Sequence, residues 1–520
     1  MSCRVVIPTA GIGSRLKSFT KYLNKSLVSI ANRPAISHLI EQFSQHHEFV
    51  IPLGYKGELV KDFLELAYPK HNFLFTYVKP FDGEGSGLGL SLLSCEHYLQ
   101  EPFIFLSCDT LIKGDIPEPE YNWMGYAKKE DLSSYRTLDI SNDMVSAINE
   151  KGNSKENLMA YIGLSGIHDY KTFWDAMHSG KHAAIIQGEV YGLKNILNTK
   201  DIFAHEFDWL DTGTLENLKI ARQKHHKINE PNILEKENES IWFVDRTVVK
   251  YSNDEKFIKN RVKRAEELNG FVPEVYAYRS NMYCYKKVEG NILSDVITTE
   301  ILAKFLKLCK ELWLPKQLNR IEKIKFKDNC LKFYKTKTHE RLKLFYKNFE
   351  KKDNAEIING KKFPPLLELL NCIDWDEVCD GLAGRFHGDL HFENVIYSRV
   401  DDNFTLLDWR QEFAGDLSVG DIYYDLAKIA HGIIVNHGII TKNQYSASWV
   451  DNMICYKLSR KQNLIDCEMK FYNWIEENNY NLKKVKIMTA LIYLNIAALH
   501  HYPYSLLLYG LGKKMLNDNL

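Results

Sequence analysis

PTAGIGSRLKSFTKYLNKSL, residues 8–27, is the stretch that decides how the N-terminal half is read. The apolar run Arg4-Val5-Val6-Ile7 leads into it, and a helix is expected from about Ala35. Between them, Gly11 and Gly13 keep side chains off the backbone, so main-chain N–H groups can close on phosphate oxygens. Arg15, Lys21 and Lys25 bring mobile positive charge to the same turn, which a polyphosphate needs and an ordinary turn does not. A bare G-x-G would read as a turn. A strand, two glycines, an Arg two places on and a Lys ten beyond it predict a nucleotide site.

PTAGIGSRLKSFTKYLNKSLVSIANRPAI (8–36) resembles the signature of the sugar-phosphate nucleotidyltransferases, including nucleoside-diphosphate-sugar pyrophosphorylases and related cytidylyltransferases. Gly11, Gly13, Arg15, Thr20, Lys25, Leu27 and Pro34 fill the expected places, and Asn24 stands where the family usually has Pro. The resemblance, about residues 3–222, implies that Ala10, Gly11 and Gly13 bind the nucleotide while Arg15 and Lys25 grip its phosphates.

At 520 residues the chain predicts two or three domains. Its 45% hydrophobic and 26% charged content is that of a globular protein. Lys+Arg and Asp+Glu are equal at 67 each, so no global field recruits nucleic acid or anionic lipid, which points to small-molecule chemistry. The ten cysteines form no C-x-x-C pair, and free thiols in a reducing cytoplasm are expected. Arg4 and Pro8 interrupt the first apolar run, so no signal peptide is expected. His500, His501 and Pro503 break the apolar tract Met488 to Tyr509, which reads as buried helix rather than membrane span.

FVIPL (49–53), FLFTYV (73–78) and FIFLSC (103–108) are strand-like, and apolar residues between them repeat at helical spacing. The alternation predicts an α/β fold, a doubly wound, mostly parallel sheet of Rossmann type. Ligands in such sheets sit beyond the carboxyl ends of strands, where the opening loop falls. Asp109 ends a strand at that edge and is read as a Mg²⁺ ligand. Its partner is expected to be Asp211 in WLDTGT, which resembles the family's D-x-G-T element; Asp208 is off that pattern. GEGSGLG (83–89) corresponds to the glycine-rich loop under the base, with Gly85 and Gly87 as nucleotide contacts. Lys79 and Phe81 stand where a Gln often precedes it, so CTP, UTP, GTP and dTTP all stay open. INEKG (148–152) resembles the family's Glu-Lys-Pro strand, with Gly152 for Pro and Lys151 on the acceptor phosphate. YIGLSGIHDY (161–170) and GEVYGL (188–193) would add Gly163 and Glu189 as acceptor contacts.

Residues 223–234 read as a polar linker into a second domain, 235–520. SIWFVDRTVVKYS (240–252) predicts strand, turn, strand, with Lys250 on the second and Glu266 on a following helix, the Lys–Glu device that positions ATP phosphates in kinases. RFHGDLHFENVIY (385–397) and LLDWR (406–410) resemble the aminoglycoside phosphotransferase and choline kinase group. The resemblance implies an α+β bilobal kinase-like domain, its small lobe about 235–292 and its helical lobe about 293–520. Asp389 would take the hydroxyl proton and Asn394 and Asp408 would hold Mg²⁺. His387 and Asp425 would be structural, and His391 receives no role. The helical lobe's Tyr and Trp residues could cage a quaternary ammonium, although core packing explains them.

Together these readings predict a bifunctional enzyme using Mg²⁺, ATP and an NTP on a small phosphorylated sugar or alcohol. The kinase would phosphorylate a small alcohol or sugar, and the transferase would add NMP to that phosphate. The product would be an NDP-activated building block for surface polysaccharide or lipopolysaccharide, with a sugar 1-phosphate favoured. The alternatives are a CTP-dependent enzyme for a phospho-aminoalcohol such as phosphocholine, and a transferase carrying a non-catalytic nucleotide-sensing module. Oligomeric state is not legible.

Overall fold

The computed structural model describes residues 3–152, 158–225 and 236–520. It divides into two compact units, residues 1–255 with 276–287, and residues 256–275 with 288–520.

The first unit is built on a nine-stranded sheet. Its strands are β1 (Arg4–Val6), β2 (Glu48–Leu53), β3 (Asn72–Tyr77), β4 (Phe103–Leu106), β5 (Trp123–Ala127), β6 (Thr137–Ser141), β7 (Met144–Asn149), β8 (Met159–Ile167) and β9 (Phe203–Glu206). In space they run β3-β2-β1-β4-β8-β5-β9-β7-β6. β1 is parallel to β2 and β4, β2 to β3, and β9 to β5. β8 opposes β4 and β5, and β7 opposes β9 and β6, so only β7 and β8 are reversed. The expected mostly parallel α/β sheet is present.

Alternation along the central strands explains why it is wound on both faces. Val5, Phe49, Ile51, Ile104 and Leu106 belong to one core, with Ile36 and Leu39 of α1 (Ala35–Ile40) and Val60 and Phe63 of α2 (Gly57–Ala67). Val6, Val50, Phe103 and Phe105 belong to the other, with Leu92 of α3 (Leu88–Leu93), Phe173 and Trp174 of α4 (Tyr170–Gln187), and Val190 and Leu193 of α5 (Glu189–Leu197).

A four-stranded sheet, β10 (Glu239–Val244), β11 (Thr247–Ser252), β12 (Val275–Tyr278) and β13 (Met282–Lys286), contains most of the small lobe expected of the second domain. Packing groups it with the first unit instead. Trp242 lies edge-on to Phe63 at 5.2 Å and its indole N–H donates to Ser29 Oγ at 2.9 Å, while Tyr251 donates to Tyr22 O at 2.7 Å. Of the expected linker, 223–225 close the helix α6 (Leu215–His225) and 226–234 lie outside the described residues.

The second unit is mainly helical. α7 (Glu255–Glu267) enters it, and α8 (Thr299–Trp313), α9 (Arg320–Leu331), α10 (Lys337–Asn348), α11 (Ile422–Ile434), α12 (Gln462–Glu477), α13 (Leu482–Ala497) and α14 (Tyr504–Asn517) follow. A π-turn, Lys332–Thr336, joins α9 to α10. A short ribbon, Val395–Ser398 against Asn403–Leu406, carries the motif residues. The apolar C-terminal tract falls in α13 and α14, buried in the helical core. Among the described residues no helix is long and apolar enough to cross a membrane. All ten cysteines are free.

Candidate active site

In the first unit the opening loop is clamped before any ligand is considered. Tyr55 N donates to Ala10 O at 2.9 Å. Asn24, fully buried, donates to Thr9 O at 2.9 Å and Tyr55 O at 2.6 Å while its Oδ1 accepts from Ser26 N at 2.9 Å. The residue that departs from the family pattern is therefore the one that fixes the loop beside Lys25. Gly13 has φ +70°, and a Cβ there would stand 2.8 Å from Lys25 Cβ and 3.2 Å from Thr20 Cγ2. Its glycine is required by the Lys and Thr of the same motif. A Cβ on Gly11 would meet no protein atom.

Lys25 Nζ lies 3.3 Å from Asp109 Oδ2, and Arg15 Nη2 lies 3.9 Å from the same oxygen. Ser107 Oγ donates to Asp109 Oδ1 at 2.6 Å. Burial alone would raise the Asp109 carboxyl, but Lys25, Ser107 and Arg15 outweigh it and push it down to about 2. Burial likewise disfavours the Lys25 ammonium, yet Asp109 and Cys108 hold it above its usual range. Lys21, the third cation of the stretch, pairs instead with Glu237 at 3.4 Å.

Asp211 reaches this cluster through a two-stranded ribbon, Thr110–Lys113 against Asp208–Asp211, whose register sets Asp211 opposite Thr110. Thr212 clamps the end of it by donating its N and Oγ1 to Asp109 O, at 3.0 and 3.1 Å. Asp211 Oδ1 accepts from Gly213 N at 2.7 Å, and Oδ2 from Tyr135 OH at 3.0 Å and Asn217 Nδ2 at 2.5 Å. A Cβ added to Gly213 would stand 3.1 Å from each of Arg15 Nη2, Asp109 Oδ2 and Asp211 Oδ1. Two carboxylate oxygens thus converge on one small space, which fits a hard divalent cation that also takes substrate phosphate oxygens. Arg15, 62% exposed, has the freedom to leave that space.

Other expected residues have packing roles visible without a ligand. Gly163 has φ +72° at an irregularity of β8, its O accepts from Ser107 N at 2.8 Å, and a Cβ would stand 2.9 Å from Ser107 Cβ. It therefore lets β8 approach the residue that orients Asp109. A Cβ on Gly87 would stand 2.3 Å from Ile185 O, so close contact with α4 requires that glycine, while Gly85 has φ +80° and a Cβ there would meet only Pro80 Cγ, at 3.9 Å. Glu189 is buried with Oε2 unbonded; burial, partly offset by Arg136, pushes its carboxyl up to about 7. Arg136 pairs with Glu150 at 3.3 Å, and Glu150 with Lys194 at 2.6 Å. Lys151 is exposed in the turn after β7.

In the second unit, Asp425 of α11 accepts from His387 N at 2.7 Å and Gly388 N at 2.6 Å and from the Trp313 indole at 3.0 Å. It splints the loop, as a structural acid does. Burial pushes its carboxyl up to about 6 against these hydrogen bonds. His387 is buried, and its Nδ1 accepts from Asp389 N at 3.2 Å. Asn394 Nδ2 donates to Asp389 O at 3.0 Å, and Leu407 N to Asn394 O at 2.7 Å, which draws the loop and the Asp408 segment together. Asp408 has φ +55°, uncommon outside glycine and often found where function demands it, and its Oδ1 is 3.7 Å from Arg261 Nη1. Asn394 and Asp408 are oxygen donors of the kind Mg²⁺ takes. Asp389 Oδ1 is 2.8 Å from Lys428 Nζ and Oδ2 is 3.8 Å from His391 Nε2. Burial opposes ionisation of Asp389, but Lys428 and His391 hold its carboxyl well below the usual range.

Lys250 is buried on β11 of the first unit, and Glu266 is exposed on α7 of the second. Trp474 stacks on Tyr480 while Trp313 lies tilted to the first and edge-on to the second, so the three rings pack on one another rather than forming an open cage. Sequence reading missed Ser107, Tyr135, Asn217 and Lys428, each a common residue type: Ser107 and Asn217 act on a carboxylate two and six residues away with no motif to mark them, and Tyr135 and Lys428 act on partners distant in the chain.

No family model matches the chain. It is 26% identical over 159 residues to the bifunctional protein GlmU of Methanocaldococcus jannaschii, covering 30% of this chain and 37% of that protein. It is 24% identical over 164 residues to D-glycero-alpha-D-manno-heptose 1-phosphate guanylyltransferase of Campylobacter jejuni, covering 30% of this chain and 72% of that one. A solved UDP-glucose pyrophosphorylase complexed with UDP-glucose aligns with a TM-score of 0.38 and 18% identity, over 43% of this chain and 98% of that chain. The N-terminal part is thus similar to nucleotidyltransferases, and the chain spans about a third of the length of the archaeal proteins it matches.

Proposed function

We propose that the first unit transfers a nucleotidyl group from an NTP to a sugar 1-phosphate with release of pyrophosphate. The observation that carries this is the convergence of Asp109, Asp211 and Arg15 on one space beside Lys25 and the opening loop. Arg15 and Lys25 hold the triphosphate, and Ser107 and Tyr135 keep the two carboxylates aimed. Asp109 and Asp211 would hold Mg²⁺, which would supply charge neutralisation to the phosphates. The acceptor's phosphate oxygen bonds to the α-phosphorus as pyrophosphate departs with the bonding electrons, so positioned cations suffice and no protein nucleophile is required. Lys151, Gly163 and Glu189 form the acceptor side, and Gly85 and Gly87 the base side. The guanylyltransferase name of one relative supports a sugar 1-phosphate as the acceptor class.

The second unit is read as a small-molecule kinase that makes this acceptor. Its support is the splinted His387–Asp389–Asn394 loop joined to Asp408. The acceptor oxygen bonds to the γ-phosphorus, ADP leaves with the electron pair, and Asp389 takes the hydroxyl proton. The activated product would serve surface polysaccharide assembly.

Incubation with ATP, Mg²⁺ and each NTP over a panel of alcohols and sugars, followed by phosphorus NMR, tests both halves. A diphosphate signal with one NTP and one acceptor is expected. Pyrophosphate release from no NTP with any sugar 1-phosphate would end the reading of the first unit.

A further inference from the structure

Around Asp389 the second unit gathers more positive charge than a base requires. Lys428 Nζ sits 2.8 Å from Asp389 Oδ1. Arg410 follows the Asp408 segment: its N donates to His387 O at 2.9 Å and its Nε to Glu412 O at 3.1 Å, and a Cβ on Gly388 would stand 2.6 Å from Arg410 Cβ. The Arg410 guanidinium lies 4.6 Å from the Phe333 ring centre, and Lys337 Nζ lies 4.5 Å from the same ring. Among the described residues the only ion pair that Lys337, Arg410 or Lys428 makes is the one between Lys428 and Asp389. Lys428 of α11 thus pairs with Asp389, while Lys337 of α10 and Arg410 after Asp408 bring two further cations to the Phe333 ring with no carboxylate among the described residues paired to either. Clustering like charges where they are partly buried is unfavourable unless an anion compensates them. The cost shows in Lys337, whose ammonium burial pushes down to about 7, with Arg410, Lys428 and Arg341 adding to the shift against Asp389.

We propose that the acceptor alcohol of the second unit already bears a phosphate, and that Lys337, Arg410 and Lys428 grip it while its free hydroxyl faces Asp389. The proposal rests on the kinase reading of this unit. It names the substrate class as a phosphorylated sugar or polyol, and it disfavours choline, whose fixed positive charge the three cations repel. Arg410 offers the planar fork suited to phosphate, and the two lysines add point charges. The other source of such an anion is the γ-phosphate of ATP, and the two sources separate experimentally.

The test uses the full chain with Lys337→Gln, Arg410→Gln and Lys337→Arg. Dissociation constants are measured by calorimetry for glucose 6-phosphate, glucose, choline and Mg²⁺·ATP, and phosphorylation of each acceptor is followed by phosphorus NMR. Pyrophosphate release by the first unit and an unchanged thermal transition report that the variants are folded. The expected result is glucose 6-phosphate binding weakened at least tenfold by either Gln variant, largely restored in Lys337→Arg, with Mg²⁺·ATP binding unchanged. If Mg²⁺·ATP binding weakens and glucose 6-phosphate binding does not, the site belongs to the nucleotide and the proposal is overturned. Choline or glucose bound more tightly than glucose 6-phosphate also overturns it. If the phosphorylated probe binds and is lost in the variants while no acceptor is phosphorylated, the anion site stands and the kinase reading fails.

Discussion

Asp109 shows how one side chain is tuned by its neighbours. Two cations and a hydroxyl hold its carboxyl down to about 2, so its own titration cannot limit activity near neutrality. Gly213→Ala fills the space at which Asp109, Asp211 and Arg15 meet without disturbing a core side chain. It should lower nucleotidyl transfer roughly 10²-fold, the scale of a small misplacement of reacting groups, with an unchanged melting temperature. Coupled pyrophosphate release and calorimetry check this. Glu189 behaves oppositely. Its carboxyl sits near 7 folded against about 4.3 unfolded, so the folded state binds the proton more tightly. Its contribution is harmless below pH 4 and becomes destabilising as pH rises toward 7, by on the order of 3 kcal/mol. Glu189→Gln should therefore match the parent chain at pH 4.5 and exceed it in stability at pH 8. Urea unfolding at both pH values measures it; equal gains at the two would refute the buried-carboxyl account.

Elements are held by contacts of a different kind. Gly87 and Gly89 let the loop before α3 press on α4, where a Cβ would stand 2.3 Å from Ile185 O and 2.1 Å from Ala184 O respectively. Gly87→Ala should cost roughly 1–3 kcal/mol by overpacking, read from the urea midpoint, whatever its effect on nucleotide binding. In the second unit the strand Glu356–Ile358 is pinned to α14 by Lys513 and Glu356, 2.6 Å apart and essentially without solvent access, with Tyr509 donating to Glu356. Lys513→Met leaves that carboxylate buried and unpaired, which should cost roughly 3–5 kcal/mol in urea unfolding.

The same contrast explains what could be read beforehand. The opening loop was legible because Gly13, Thr20 and Lys25 satisfy one another within a dozen residues. The paired carboxylates were legible because D-x-G-T keeps Asp211, Thr212 and Gly213 adjacent. The three cations near Asp389 were not, since Lys337, Arg410 and Lys428 carry no mutual spacing and meet only through the fold of three elements. Nor could sequence show that the sheet bearing Lys250 would share its core with the first unit, because Trp242 finds Phe63 and Ser29 only after both elements exist.

At the scale of the whole molecule, the question is whether the two proposed phosphorus-transfer centres act in series. If they do, each can be silenced without silencing the other. Asp389→Asn removes the proposed base and should slow formation of activated product from the starting alcohol roughly 10²–10⁴-fold, while product still forms at the parent rate from the phosphorylated acceptor. Asp109→Asn should show the complementary defect, with ATP consumed and the phosphorylated acceptor accumulating. Mixing the two variants should restore activated product after a lag that shortens as the Asp109→Asn variant is raised, because that variant supplies the shared intermediate. Phosphorus NMR follows all three species in one tube. Product formation from the starting alcohol that is unaffected by Asp389→Asn would show that the second centre does not feed the first.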